Sequence, residues 1–102
     1  MIKLTKIEFD GDIIICHFNN GETKLLELTS IKQIKDEFIS KIIEEKLITN
    51  AEIGRYGELI WPNLAFMFNR NGEKIKCDYD FSPEYVYENS IKSPSTLPQK
   101  AQ

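Results

Sequence analysis

The stretch from residue 57 to residue 68, GELIWPNLAFMF, constrains the fold more than any other part of the chain. It contains the only tryptophan, Trp61, which is followed at once by a proline. Pro62 has no N–H to donate to a sheet, and it biases Trp61 toward an extended conformation. A proline inside such an apolar run predicts a bulge, a bend or a sheet edge at this position.

Residues 64–68, which follow this corner, are apolar throughout and predict a strand that is buried on both faces. Each face of such a strand needs a cover, because a sheet stabilises a fold by burying its apolar faces. We expect a helix to cover one face and either other strands or a second subunit to cover the other. A face left uncovered would be a site for a partner.

The N-terminal third of the chain predicts three strands at residues 2–9, 13–18 and 23–28. The turn sequences Asp10-Gly11-Asp12 and Asn19-Asn20-Gly21-Glu22 separate them, and both are typical of hairpins. The apolar alternation of the first strand changes phase near Lys6, which predicts a bulge or a twist there. Together these segments predict an antiparallel meander.

A helix is predicted within residues 31–46, where apolar residues recur at helical spacing. Ser30 and Gln33 resemble a capping box, and a short turn followed by a longer helix from Asp36 also fits the pattern. Ser82 as N-cap and Pro83 at the first helical position predict a short C-terminal helix over 83–91. Residues 93–102 contain two prolines and few apolar residues, so we expect a disordered tail.

Between the helices, residues 74–81 alternate regularly after the turn Asn69-Arg70-Asn71-Gly72. The pattern predicts a strand with one wet face. Its inward residues are Ile75, Cys77, Tyr79 and Phe81, and its outward residues are Lys74, Lys76, Asp78 and Asp80. The predicted fold is α+β, with a curved antiparallel sheet of about five to six strands in one domain over residues 1–92.

Composition narrows the class of function. A chain of 102 residues, 41% hydrophobic and 28% charged, is typical of one soluble globular domain. No apolar run approaches the ~20 residues that cross a bilayer, and the N-terminus lacks a secretory pattern, so we expect a cytoplasmic protein. The net charge of −3, with both signs mixed along the chain, argues against binding of nucleic acid. Cys16 and Cys77 are expected to be buried apolar residues rather than a disulfide.

No catalytic, metal or cofactor motif is present in the sequence. His17 is the only histidine, and its neighbour Cys16 points to the other face of the strand, so a structural role is expected. Asp78 and Asp80 share a strand face with Lys74 and Lys76, and a solvated strand face explains them better than catalysis. The loop at residues 54–57 places Arg55 and Tyr56 at a tip, where a partner could contact them.

The elements Ile60-Trp61-Pro62-Asn63 and Asp80-Phe81-Ser82-Pro83-Glu84, after an N-terminal meander, resemble the small bacterial family known as domain of unknown function 2442. The resemblance implies an α+β fold with a curved antiparallel sheet and no established catalytic residues. It also implies an accessory role, since members look like partners of small toxin-like proteins encoded beside them. The hairpin at residues 64–79 separates the two elements more widely here than is usual in the family.

These observations predict a non-enzymatic, protein-binding domain with a regulatory or antitoxin-like role and no cofactor. The expected partner is another protein, such as the product of a neighbouring gene, or a second copy of the chain. Arg55, Tyr56 and Trp61 are the candidate contact residues. The alternative is a small-ligand or enzymatic domain whose pocket is lined by Trp61, Tyr79 and Asp78.

Overall fold

The structure, a computed structural model, describes residues 1–31 and 36–92 and contains seven strands and three α-helices in that part of the chain. In chain order the elements are β1 (Leu4–Asp10), β2 (Ile13–Phe18), β3 (Thr23–Glu27), α1 (Leu28–Ile31), α2 (Glu37–Glu44), a 3₁₀ turn (Ile48–Asn50), β4 (Glu52–Ile53), β5 (Leu59–Phe68), β6 (Lys74–Phe81), α3 (Pro83–Asn89) and β7 (Ile91–Lys92). The α+β class is confirmed. The strands divide between two antiparallel sheets, ordered β1-β2-β3-β7 and β4-β5-β6.

The first sheet is the predicted meander with one strand added. Gly11 and Gly21 adopt φ of +61° and +89° in its two turns, a conformation that glycine reaches without a Cβ clash. The pairing of β1 with β2 shifts register between Leu4 and Lys6, which confirms the predicted bulge. β7 then pairs with β3, placing Ile91 opposite Leu25.

The C-terminal helix begins as predicted, because the Ser82 side chain accepts the Tyr85 N–H at 3.1 Å. It ends at Asn89, two residues before the predicted end at residue 91. Ser90 is extended, with φ −102° and ψ 159°, so the chain leaves the helix and joins the sheet. Ile91 therefore lies on a strand.

The main helix, α2, begins after Asp36, whose carboxylate accepts the Phe38 N–H at 2.7 Å. This is the longer helix that the sequence predicted from Asp36. Ser30 lies inside α1 rather than at a helix start, so it does not cap a helix. Its predicted partner Gln33 lies outside the described residues, as does the predicted tail at 93–102.

One core cluster joins the two sheets and the helices. Its fully buried members come from both sheets and all three α-helices of the described residues: Ile14, Cys16, Leu26, Leu28, Ile39, Ile42, Leu59, Trp61 and Val86. Trp61 is 1% exposed, and its indole Nε1–H donates to the Leu47 carbonyl oxygen at 3.2 Å. The Phe81 ring meets it edge-on at a centroid distance of 5.7 Å. The tryptophan thus links the second sheet to the segment that follows α2.

The corner at Pro62 is a bulge within a continuous strand. Trp61 pairs with Tyr79 and Ala65 pairs with Cys77, so three residues of β5 stand opposite Asp78 alone. Asn63 has φ of +59°, and its N–H donates to Asp78 Oδ1 at 3.1 Å. The carboxylate thus replaces the ladder partner that the bulge removes.

In the described residues, no helix has both the length and the apolar character that crossing a membrane requires.

Substitution at Asn63 tests the bulge, because this exposed residue adopts a left-handed conformation. We expect Asn63→Val to lower the free energy of unfolding by about 1–2 kcal/mol, since a β-branched residue is strained at positive φ. Asn63→Gly, the matched control, should change it by less than about 1 kcal/mol. Urea unfolding followed by the fluorescence of Trp61 measures both. Equal losses in the two variants would show that the backbone conformation is not the cause.

Candidate protein-binding surface

Beyond the bulge, β5 and β6 continue as a two-stranded hairpin, residues 65–77, which we call the arm. The arm pairs from Ala65 with Cys77 to Phe68 with Lys74. A turn at residues 69–73 closes it, where the Asn69 N–H donates to the Glu73 carbonyl oxygen at 3.0 Å. Isolated two-stranded ribbons are marginally stable, so the arm depends on its continuity with the core.

The end of the arm exposes large apolar side chains. Met67 is 57% exposed, Phe68 is 63% exposed and Ile75 is 44% exposed. The prediction that residues 64–68 are buried on both faces is therefore wrong from Met67 onward, whereas Phe66 is half-buried and its ring meets that of Phe38 at 5.8 Å. The inward assignment of Ile75 is wrong as well. The apolar sequence correctly indicated a strand, but among the described residues no element covers the end of it.

Apolar residues lie on both faces of the arm. The pairing shows which residues share a face, because residues directly opposite each other in two strands lie on the same one. Met67 stands opposite Ile75 on one face. On the other face the rings of Phe66 and Phe68 meet edge-on at 5.8 Å, and Lys74 Nζ lies 4.2 Å from the centre of the Phe66 ring. The end of the arm is thus an apolar surface with a cation at its border.

The outer edge of β6 has no strand partner within the described part of the chain. In an antiparallel ladder, alternate residues direct their N–H and C=O groups to the neighbouring strand. The hydrogen bond from the Asn69 N–H to the Glu73 carbonyl oxygen sets this alternation. The backbone N–H and C=O groups of the odd-numbered residues of β6 point to β5, and those of the even-numbered residues point away from it, to the outer edge. Those outward positions are Lys74, Lys76, Asp78 and Asp80, and all four are exposed.

The predicted contact residues occupy other places. Arg55 and Tyr56 are exposed in the turn between β4 and β5, where the Gly54 N–H donates to the Glu58 carbonyl oxygen at 2.8 Å. That turn lies at the opposite end of β5 from the arm, roughly 25–30 Å away at ~3.3 Å per strand residue. Trp61 is in the core, so its ring is not available at the surface.

A shallow hollow lies at the other end of β6, between that strand and the helices. Its volume is about 340 Å³, and it is lined by Asp36, Ile39, Tyr79, Asp80, Phe81, Ser82 and Tyr85. Tyr79 donates its hydroxyl to the second carboxylate oxygen of Asp36. Burial, and then this carboxylate, raise the pKa of Tyr79 well above its ordinary value. Burial raises the pKa of Tyr85 as well, with a smaller contribution from Asp36.

The hollow matches the alternative small-ligand pocket only at Tyr79. Trp61 does not line the hollow, and neither does Asp78, whose carboxylate accepts the Asn63 N–H at the bulge. Within residues 1–31 and 36–92, no group of three acidic, histidine or cysteine side chains is placed to hold a metal ion. His17 lies between Glu8 and Thr23, at 2.7 Å and 3.1 Å, and so links three strands of the first sheet.

Comparison with known families decides the classification. The model of a family described as "Protein of unknown function (DUF2442)" matches residues 4–92, which include every strand of both sheets. The chain belongs to this family. The resemblance seen at Trp61-Pro62-Asn63 and Ser82-Pro83-Glu84 is thereby confirmed. No curated protein and no solved structure matches the chain.

In the structure of this family member, the two cysteines differ in accessibility. Cys16 is fully buried, and that burial raises the pKa of its thiol to about 12. Cys77 is half-buried on the arm. Both are free thiols, but only Cys16 is buried as the sequence predicted.

Thiol labelling tests this difference, because only the thiolate reacts and only an accessible sulfur can be reached. We expect an aromatic disulfide reagent at pH 8 to label Cys77 rapidly in the folded protein at high dilution, where the chain is a monomer, and to label Cys16 only after denaturation. Cys77→Ser is the control, and it should abolish the rapid phase. Rapid labelling that survives in this variant would contradict the buried position of Cys16.

Proposed function

We propose that this chain is a non-enzymatic accessory domain that acts by binding another protein through the arm and the outer edge of β6. The observation that carries the proposal is the exposed apolar end of the arm, at Met67, Phe68 and Ile75, beside a strand edge that no strand of the described residues pairs with. Exposed apolar patches next to polar borders are typical of protein-binding sites.

The geometry favours binding by strand addition. An extended segment can pair with the outward N–H and C=O groups of β6, and the arm's side chains then provide specificity. Lysines at an exposed edge discourage indiscriminate pairing, so a partner must accommodate Lys74 and Lys76. A strand of complementary charge meets that requirement.

A non-enzymatic role is supported by what the candidate chemical groups already do. Asp78 accepts a backbone N–H at the bulge. Asp36 caps the start of α2 and also accepts a hydrogen bond from the Tyr79 hydroxyl. His17 bridges neighbouring strands of the first sheet. Each of these groups has a structural task in the fold. The regulatory or antitoxin-like role implied by the family resemblance is one form that such a binding domain can take.

Affinity capture from source-cell lysate tests the proposal with paired variants. We expect the double variant Met67→Thr/Phe68→Ser to lose the proteins that the wild-type chain retains, since interface aromatic residues often contribute 2 kcal/mol or more, roughly thirtyfold in affinity. Tyr56→Ser is the matched control, because it removes an equally exposed aromatic ring at the far end of β5.

The folded state of each variant is confirmed beforehand by the fluorescence of the buried Trp61. Identical capture by the wild-type chain and the arm variant would contradict the proposal. Loss of capture in Tyr56→Ser alone would move the site to the turn at Arg55 and Tyr56.

A further inference from the structure

The charges on the outer edge of β6 are self-complementary. Along the strand the outward residues are Lys74, Lys76, Asp78 and Asp80, two cations followed by two anions, with Cys77 at the centre. An antiparallel strand of the same sequence, turned about a two-fold axis at Cys77, presents the opposite sign at every one of these positions. We propose that the edge of β6 binds a second copy of this chain, forming a symmetric dimer. This inference rests on the proposed function and names the partner of the same surface.

The backbone permits this pairing. The backbone N–H and C=O groups at the outer edge of β6 belong to its even-numbered residues. Two hydrogen bonds at opposite ends of β5, from the Asn69 N–H to Glu73 and from the Gly54 N–H to Glu58, both give this alternation. Two such strands bond only when even-numbered residues oppose even-numbered residues. With the axis at Cys77, Lys76 faces Asp78 of the partner subunit, and Lys74 faces Asp80 of the partner subunit. Both facing pairs then occupy hydrogen-bonded positions.

Charge selects this register over its neighbours. Moving the axis to Lys76 sets that lysine against its own copy and leaves Asp80 unmatched. Moving it to Asp78 sets two carboxylates together and leaves Lys74 unmatched. Like charges directly opposite each other are destabilising, whereas opposite charges contribute roughly 0.2–1 kcal/mol for each pair. Placing the axis between two residues pairs even with odd positions and breaks the ladder. The axis at Cys77 satisfies both the hydrogen bonds and the charges.

The same register covers part of the exposed arm. Ile75, which is 44% exposed, lies opposite Tyr79 of the partner subunit on one face. The next residues of the arm then run toward the partner's hollow, which is lined by Tyr79, Phe81 and Tyr85 in each copy. One contact therefore accounts for the bare edge, the exposed Ile75 and the hollow at the other end of β6.

Reciprocal charge variants test the pairing without disturbing Asp78, which holds the bulge. In the dimer, Lys74→Glu sets two carboxylates against each other at each of two symmetric places. Asp80→Lys sets two lysines against each other at the same places. We expect each alone to raise the dimer dissociation constant about tenfold or more, measured by sedimentation over a concentration series. An equimolar mixture of the two variants should form heterodimers of near wild-type affinity, and the double variant Lys74→Glu/Asp80→Lys should regain self-association. Lys41→Glu on α2 is the matched control and should dimerise as the wild-type chain does.

Cross-linking through Cys77 tests the register itself. Facing residues at a non-hydrogen-bonded position have Cα atoms ~4.5 Å apart, within the ~4.4–6.8 Å that a disulfide spans. We expect diamide to convert the wild-type chain to a covalent dimer on a non-reducing gel, and Lys74→Glu to cross-link at least several-fold more slowly. Cys77→Ser, which retains the buried Cys16, should remain uncross-linked yet dimeric in sedimentation.

A wild-type chain that is monomeric at ~100 μM would overturn the inference, since any useful affinity would populate the dimer there. A dimer that Lys74→Glu and Asp80→Lys leave unchanged would overturn it too. If the chain is monomeric but Met67→Thr/Phe68→Ser still abolishes capture of another protein, self-pairing fails while the proposed function stands. If the chain is monomeric and that variant changes nothing, both fail.

Discussion

The bulge at Pro62 is the constraint on which the rest of the structure depends. Proline cannot donate to the ladder, Asn63 takes a positive φ, and the Asp78 carboxylate accepts the N–H that the bulge leaves over. On one side of this point β5 belongs to the core, where Trp61 is buried and bonded to Leu47. On the other side the same strand leaves the core as the arm. A single local irregularity thus separates the stabilising half of the second sheet from its exposed half.

This division explains why the chain can carry exposed apolar residues. The cluster that contains Trp61, Leu59 and Ile42 joins both sheets, so the fold does not rely on Met67, Phe68 or Ile75 for its burial. Residues released from the core in this way are available for recognition, because substitutions there change binding more than stability. The arm is nevertheless held in place, since its two strands continue into the segments that contain the buried Trp61 and Phe81.

Local signals in the sequence predicted most of the fold. The turn glycines, the phase change near Lys6, the N-cap Ser82 and the irregularity at Pro62 each depend on a few neighbouring residues, and each is where the pattern placed it. The cap of the main helix is an exception, because the pattern indicated Ser30 and the helix is capped by Asp36. The division into two sheets, the strand at Ile91 and the exposure of Ile75 depend on distant packing. Alternation tells which residues share a face of β6, but it cannot tell whether another element covers that face. The sequence therefore indicates contact residues in the loop at Arg55 and at Trp61, whereas the exposed apolar surface lies on the arm.

The edge of β6 shows how one set of charges can restrict and specify pairing at once. A bare strand edge invites association with any extended chain, and charged side chains are the usual protection against it. Lysine alone would repel a second copy, and so would aspartate alone. The order Lys74, Lys76, Asp78, Asp80 repels parallel self-pairing, in which each residue would face its own copy. In the antiparallel registers whose axis passes through Lys76 or Asp78, it sets one pair of like charges together and leaves one charge of each strand unmatched. It leaves one antiparallel register in which every charge is matched. Specificity at this edge thus follows from the penalties on alternative pairings as much as from attraction in the favoured one.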